Sequence, residues 1–369
     1  MLPLPKTRHW SYLLQALLFI AHLSPAVDAQ EKHHYFYKPH IDRGSDAIFS
    51  PLTLLLNGSL DALRLSPDRG RDVTAMRWGT DAQNVWENLT RPAGRIREYG
   101  WDVFRRQELF NFSLDVDDLQ FIPNVADHVI GYGMQYAKIT EWYDAHGFTS
   151  PVIWGVGTSL IYQYVNEMVQ NGGQKYTNVD CIADVYIFNT LGFALFSFDG
   201  VKAFFSKTLE LNEWSLQPLY VLRNNHIENA GEEFVLRYTL PFAERYAPFV
   251  CWGVNTVAGL TYRMDEQNNI SLGVGKAITG MKQKERGEFL SATPVFEPAV
   301  GAFWDTEGSL LTGLIISGRG PFNVQLNVYP GLIDLFGVQP GCYFGAGPRE
   351  GLVFGVTFVN LPISLGLER

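Results

Sequence analysis

Three polar side chains stand inside otherwise apolar stretches of the chain: His128, Glu167 and Asp184. An imidazole with two carboxylates can serve as an acid–base set or bind a divalent metal. The same trio can also form a hydrogen-bonded network that fixes the register of the helices carrying it, and that is the reading favoured by the residue types alone. Buried ionisable groups are costly unless paired, so helices that each carry one are expected to bring several together. Asp127, Asn166, Asp180 and Asn189 belong to the same polar set. Asp180 and Asp184 share one face of an α-helix. Asn189, five residues further on, points about 140° away from Asp184 and is expected outside the direct cluster. No G-x-S-x-G elbow, H-E-x-x-H helix, EF-hand loop, P-loop or dinucleotide fingerprint is present, so no cofactor is expected.

Three consecutive helices of about 20 residues must position these groups. Asn124 caps the first, which runs to about Ala145 and stops at Gly147. Ser150 and Pro151 open the second, which ends at Asn171-Gly172-Gly173. Thr177-x-x-Asp180 is a capping-box-like start for the third, which continues to about Asp199. On the second helix Gly155, Ser159, Gln163, Glu167 and Gln170 form a small-and-polar stripe along which another helix can approach. From Ile182 to Phe198 the third is so apolar that protein or lipid must cover it nearly all round.

Asp127-His128, Glu167 and Asp184-x4-Asn189-x2-Gly192 resemble the helical signature of VanZ-like membrane proteins and of the small YfiM-type Gram-negative envelope proteins. The resemblance covers residues 121–200. It implies an envelope location and no particular reaction.

After residue 205 the apolar period changes from helical to two. Phe322-Asn323-Val324-Gln325-Leu326-Asn327-Val328 alternates for its whole length, and Leu352 to Phe358 repeats the scheme. The expected fold is therefore α+β: three long helices followed by an antiparallel β-barrel of about eight strands. The expected divisions are a signal peptide at 1–29, a mixed region at 30–123, an apolar helical bundle at 124–204 and the barrel at 205–369.

Lys6 and Arg8, the apolar run Trp10 to Leu23 and the small residues Val27 and Ala29 have the three-part form of a secretory signal cleaved after Ala29. Export makes Asn57, Asn88, Asn111 and Asn269 sequons if the source is eukaryotic. His33, His34 and His40 read as a loose polar tail rather than metal ligands. A net charge of −9 argues against nucleic acid as a partner, and three cysteines cannot make a disulfide framework. Against that acidity stand Arg91, Arg95, Arg97, Arg105 and Arg106, either a solvated helix face or a contact for acidic lipid headgroups. These readings lead to an exported outer-membrane or periplasmic protein with a structural, scaffolding or hydrophobic-ligand passage role, and the outer membrane or lipid as its partner. The alternative is a lipid- or glycan-active hydrolase using His128, Glu167 and Asp184, with any metal left open.

Overall fold

Among the described residues the helices lie before residue 209 and the strands of the sheet after residue 211. The computed structural model describes residues 33–65, 72–110, 123–171, 179–286, 289–318, 322–348, 351–359, 361 and 363–369. The expected signal peptide, Thr177 and the Asn111 sequon lie outside the described residues.

Helix α1 (Pro51–Leu65) starts where the Ser50 hydroxyl accepts the Thr53 amide at 3.1 Å, a side-chain cap on an orphan donor. Next come α2 (Trp78–Thr90), α3 (Pro92–Tyr99), α4 (Trp101–Phe104), α5 (Tyr132–Ala145) and α6 (Pro151–Asn171). Helix α6 is the hub against which α1, α2 and α5 pack, with Leu54, Ile139, Tyr143 and Tyr162 between them. The expected third long helix is not one helix. It divides into α7 (Asp180–Ala183), a π-helical turn (Asp184–Phe188), α8 (Asn189–Leu195) and α9 (Asp199–Ala203), which runs on into a second π turn. A bend of 81° separates the parts before and after residues 196–198. Another π-helical segment, Pro123–Gly131, leads into α5. Among the described residues no single helix is long and apolar enough to cross a membrane; the bent pair passes by length and composition only.

The expected eight-stranded antiparallel barrel is replaced by one mixed, thirteen-stranded sheet that curls into a half-barrel. Its strands are β1 (Asn212–Glu213), β2 (Leu219–Val221), β3 (His226–Glu228), β4 (Glu233–Arg237), β5 (Tyr246–Gly253), β6 (Asn255–Arg263), β7 (Asn268–Arg286), β8 (Phe289–Thr306), β9 (Ser309–Ser317), β10 (Val324–Val328), β11 (Pro340–Gly347), β12 (Gly351–Phe358) and β13 (Ser364–Glu368). Strands β4 to β13 pair antiparallel in chain order. The unexpected part is a hairpin. The β1·β4 and β2·β3 ladders have one register, and the Trp214 amide to Glu233 carbonyl and Leu216 amide to Gly231 carbonyl bonds lie between them. Residues 212–235 are thus a single long hairpin. Its second arm pairs with β5, and its first arm pairs parallel with β13, so it ties the two flanks of the sheet together. Most of both arms falls in stretches that the sequence marks as strands, 208–221 and 232–241; what periodicity does not show is which strands they pair with.

The inner face of the sheet is filled. Trp214, Phe249, Phe303 and Tyr329 form its apolar core. Arg237 and Asp305 form a buried two-pronged ion pair there, at 2.8 and 3.1 Å, beside the Trp214 ring. The segment expected to be a loose tail is instead a strap. Its amides at Tyr35, Phe36 and Tyr37 donate to the Glu141 carboxylate, and Ser45 and Asp46 bond to Leu310 and Ser309 in the half-barrel. Asn57 and Asn88, two of the sequon asparagines, are fully buried; Asn57 bridges the Leu216 carbonyl and the Gly231 amide.

Helices cover only one part of the outer face. Met134, Ala137 and Phe196 pack on Phe234 and Trp252, and Leu60, Leu63 and Val169 pack on Ile227. Among the described residues α1 meets β7, and the outer positions Leu260, Leu272, Val274, Val300, Ile316 and Phe354 stay exposed.

Candidate functional site

His128 sits in the π-helical segment before α5, Asp184 opens the π turn after α7, and Glu167 lies on α6. The imidazole Nδ1 is 3.0 Å from Asn189 Oδ1, and its Nε2 is 3.7 Å from Asp184 Oδ2. The structure therefore joins His128 to Asp184 and to Asn189, the residue that α-helical geometry excludes. The reason is the π turn. The Asn189 amide donates to the Asp184 carbonyl, an i→i+5 bond, and one such wide turn returns the chain over its starting residue. The 100° step of an α-helix does not apply between these two positions.

Gly192 sets how closely the helices cross. A Cβ there would meet the His128 carbonyl oxygen at 2.8 Å and the Val129 carbonyl oxygen at 2.9 Å, and Gly133 faces the Gly192 backbone from the other side. Only a glycine lets the His128 segment lie against α8. The Tyr132 ring stands edge-on to the imidazole at 4.9 Å.

Glu167 is buried in the same region, but no hydrogen bond joins it to His128 among the described residues. Burial raises its pKa well above the carboxylate range, and the charges of Asp180 and Asp184 push it further. Burial and Asp180 do the same to Asp184. Two more carboxyls, which sequence reasoning left out of the cluster, share this environment. Glu108 is pushed up to about 8, by burial first and then by Asp180, and Asp61 is raised to about 6 by burial. Asp127 is raised to about 7 by burial, against the pull of His128. His128 is held below its ordinary value by burial. Asp184 Oδ1, Asn189 Nδ2 and Asp127 Oδ1 have no hydrogen-bond partner among the described residues.

Burial thus favours the neutral forms of Glu167, Asp184 and His128. Side-chain exposure is 16% for His128 and 9% for Asp184. Two cavities of about 10 Å³, each enough for about one water, lie elsewhere. One is inside the half-barrel against Glu233, Asn255 and Asn327, and the other lies between Ser45, Asn57, Lys138 and Glu213. No group of three or more His, Cys, Asp or Glu side chains among the described residues is arranged to hold a metal ion. No family model, curated protein or solved structure matches the chain.

The raised carboxyls make stability depend on pH in a definite direction. A carboxyl that holds its proton more tightly when folded contributes stability fully present below its unfolded pKa, near 4, and lost as pH rises through the folded value. His128, shifted down, acts oppositely and favours the fold above its own ordinary value of 6.5. The carboxyls outnumber it. The melting temperature is expected to fall by several degrees between about pH 5 and pH 8.5. Asp127→Asn should flatten part of that slope. A melting temperature that rises over the same window would contradict the arrangement.

Proposed function

We propose that the protein is a structural component of a bacterial cell envelope, seated in the outer membrane through the bare outer face of its sheet, with the helical layer as a scaffold beside it. The observation that carries this reading is the chemistry of three cross-strand rows. The middle row runs Pro248, Leu260, Leu272, Ala302, Leu314, Leu326, Phe344, Phe354 and Leu367, and every member is apolar. A second row, Val250 through Val274, Val300 and Ile316 to Leu352, is equally free of polar side chains. The third, from Tyr246 and Tyr262 through Trp304 to Leu365, is broken only by Thr312.

The rows facing the other way are mixed: Thr261, Ser271, Gln325, Asn327 and a series of glycines stand among Phe249, Phe303, Ile315 and Tyr343. A water-soluble sheet presents polar side chains on its uncovered face, and contiguous apolar surface of this extent is rare on soluble monomers. Leu272, Val274 and Leu367 are 61%, 67% and 68% exposed. Several of these strands have eight or nine residues, close to the ~9–11 of a tilted membrane strand. Tyr246, Tyr262 and Trp304 lie along one rim, where aromatic side chains suit headgroup depth. The filled inner face favours scaffolding over ligand passage. The resemblance of residues 121–200 to envelope proteins agrees with this location, and the part-buried His128 network fits a part in holding helix register.

Flotation of the refolded protein with phosphatidylcholine vesicles tests the reading. The wild type should float, and the double variant Leu272→Glu/Val274→Glu should stay at the bottom of the gradient, because a charge on the lipid face costs about 2–4 kcal/mol near mid-membrane. A wild type that remains in the aqueous layer as a monomer or as a dimer joined through this face would sink the proposal.

A further inference from the structure

The arginines between residues 91 and 106 are not needed by the sheet reading and have a use of their own. We propose that the α3–α4 arm is a docking surface for anionic lipid headgroups; the choice of a bilayer as its occupant rests on the reading of the sheet given above.

The arm is built so that its basic side points away from the protein. Ile96 and Phe104 are buried in a cluster with Val179, Ile182 and Phe188, and Glu108 is buried below them. Arg97, Trp101 and Arg105 each follow an inward position or the Gly100 bend by one residue, and all three are exposed, as are Arg91 and Arg106. Gly100, at φ +103°, makes the turn that lets α4 follow α3 along the same surface. Residues 91–106 hold five arginines against two carboxylates, in a chain of net charge −9.

Those two carboxylates are occupied. Glu98 pairs with Arg95 at 2.8 Å and Asp102 with Arg105 at 3.3 Å. Arg91 and Arg97 are left outside any ion pair among the described residues, and Arg106 is bound only through its Nε to the Asp102 carbonyl. A guanidinium with free N–H groups is matched to a phosphate by charge and by its fork geometry. Trp101, 55% exposed beside them, decides between a bilayer and a soluble polyanion. An indole gains at the headgroup boundary, where its ring is half-desolvated and its N–H stays wet, and gains nothing from a free phosphate.

Vesicle flotation in 0.1 M salt with phosphatidylcholine alone, and with added phosphatidylglycerol, tests the arm separately from the sheet. The wild type is expected to partition about tenfold to thirtyfold more strongly onto the anionic vesicles, as about two unpaired arginines near a charged surface would give. Arg97→Gln/Arg106→Gln should lose that increment and still float on neutral vesicles with an unchanged melting temperature. Raising the salt to 0.5 M should abolish the increment in the wild type. Free glycerol phosphate at matched headgroup concentration should not displace the protein. Equal partition of the wild type onto both vesicles, an increment that survives the double substitution, or displacement by free glycerol phosphate would each overturn the arm and leave the sheet reading standing. Failure to float on either vesicle would overturn both.

Discussion

Asp305→Ala should cost about 3–5 kcal/mol of stability, the largest effect expected of any single substitution here. The Asp305 carboxylate is fully buried and accepts four bonds: two from Arg237, at 2.8 and 3.1 Å, one from Asn269 Nδ2 at 3.0 Å and one from the Gly308 amide at 3.1 Å. Its loss strands a buried guanidinium, whose other acidic neighbour, Glu210, lies 3.9 Å from Nε. It also frees the turn that joins β8 to β9. The damage comes from the unpaired charge more than from the lost attraction, so a paired apolar replacement is the control. Arg237→Met/Asp305→Leu should recover most of the stability that Asp305→Ala loses. Denaturant unfolding followed by tryptophan fluorescence reads both. A single variant as stable as the wild type would mean that the ion pair does not hold the inner face.

Glu141→Ala is expected to release the strap, at a cost of about 3 kcal/mol. Three consecutive amides converge on this one buried carboxylate, from Tyr35 at 3.0 Å, Phe36 at 2.8 Å and Tyr37 at 2.9 Å. Hydrogen bonds to a charged acceptor are worth about 1.5–3 kcal/mol each when the alternative is an unsatisfied buried donor, although the three are not additive. Phe36 also leaves the cluster it shares with Met134 and Phe196. Limited proteolysis checks the result directly: cleavage between residues 33 and 48 should become fast in the variant while the helices past residue 123 stay protected. Unchanged protection of that segment would show that Ser45 and Asp46 hold it without Glu141.

Parts of this architecture are written in local chemistry and parts are not. Pro151 opens α6, and the alternation around Gln325 and Asn327 marks β10, because both signals arise within a few residues. Asn189 was placed on the wrong side because a π turn leaves no trace in a pattern counted at 3.6 residues. Strand β11, Pro340–Gly347, has three glycines in eight residues and so little alternation that it reads as loop. The residues of the hairpin at 212–235 pair with partners that periodicity cannot name, since its first arm is completed only by β13. At the candidate site, His128 and Asp184 were legible as polar residues in apolar helices. Glu108 and Asp61 were not, because only tertiary packing brings them beside the others.

The parallel pairing of Leu219–Val221 with Ser364–Gly366 gives the molecule a seam made from the first and last of its long-range strand partners, about 145 residues apart in sequence. During synthesis every other described strand leaves the ribosome before β13, the partner that locks the seam. Until then the first arm of the hairpin waits with an open edge, and the cost of closing so long an intervening loop falls on the final step. Closure of the sheet therefore waits for β13, and a chain truncated before Ser364 would leave that edge free to zip onto a neighbour.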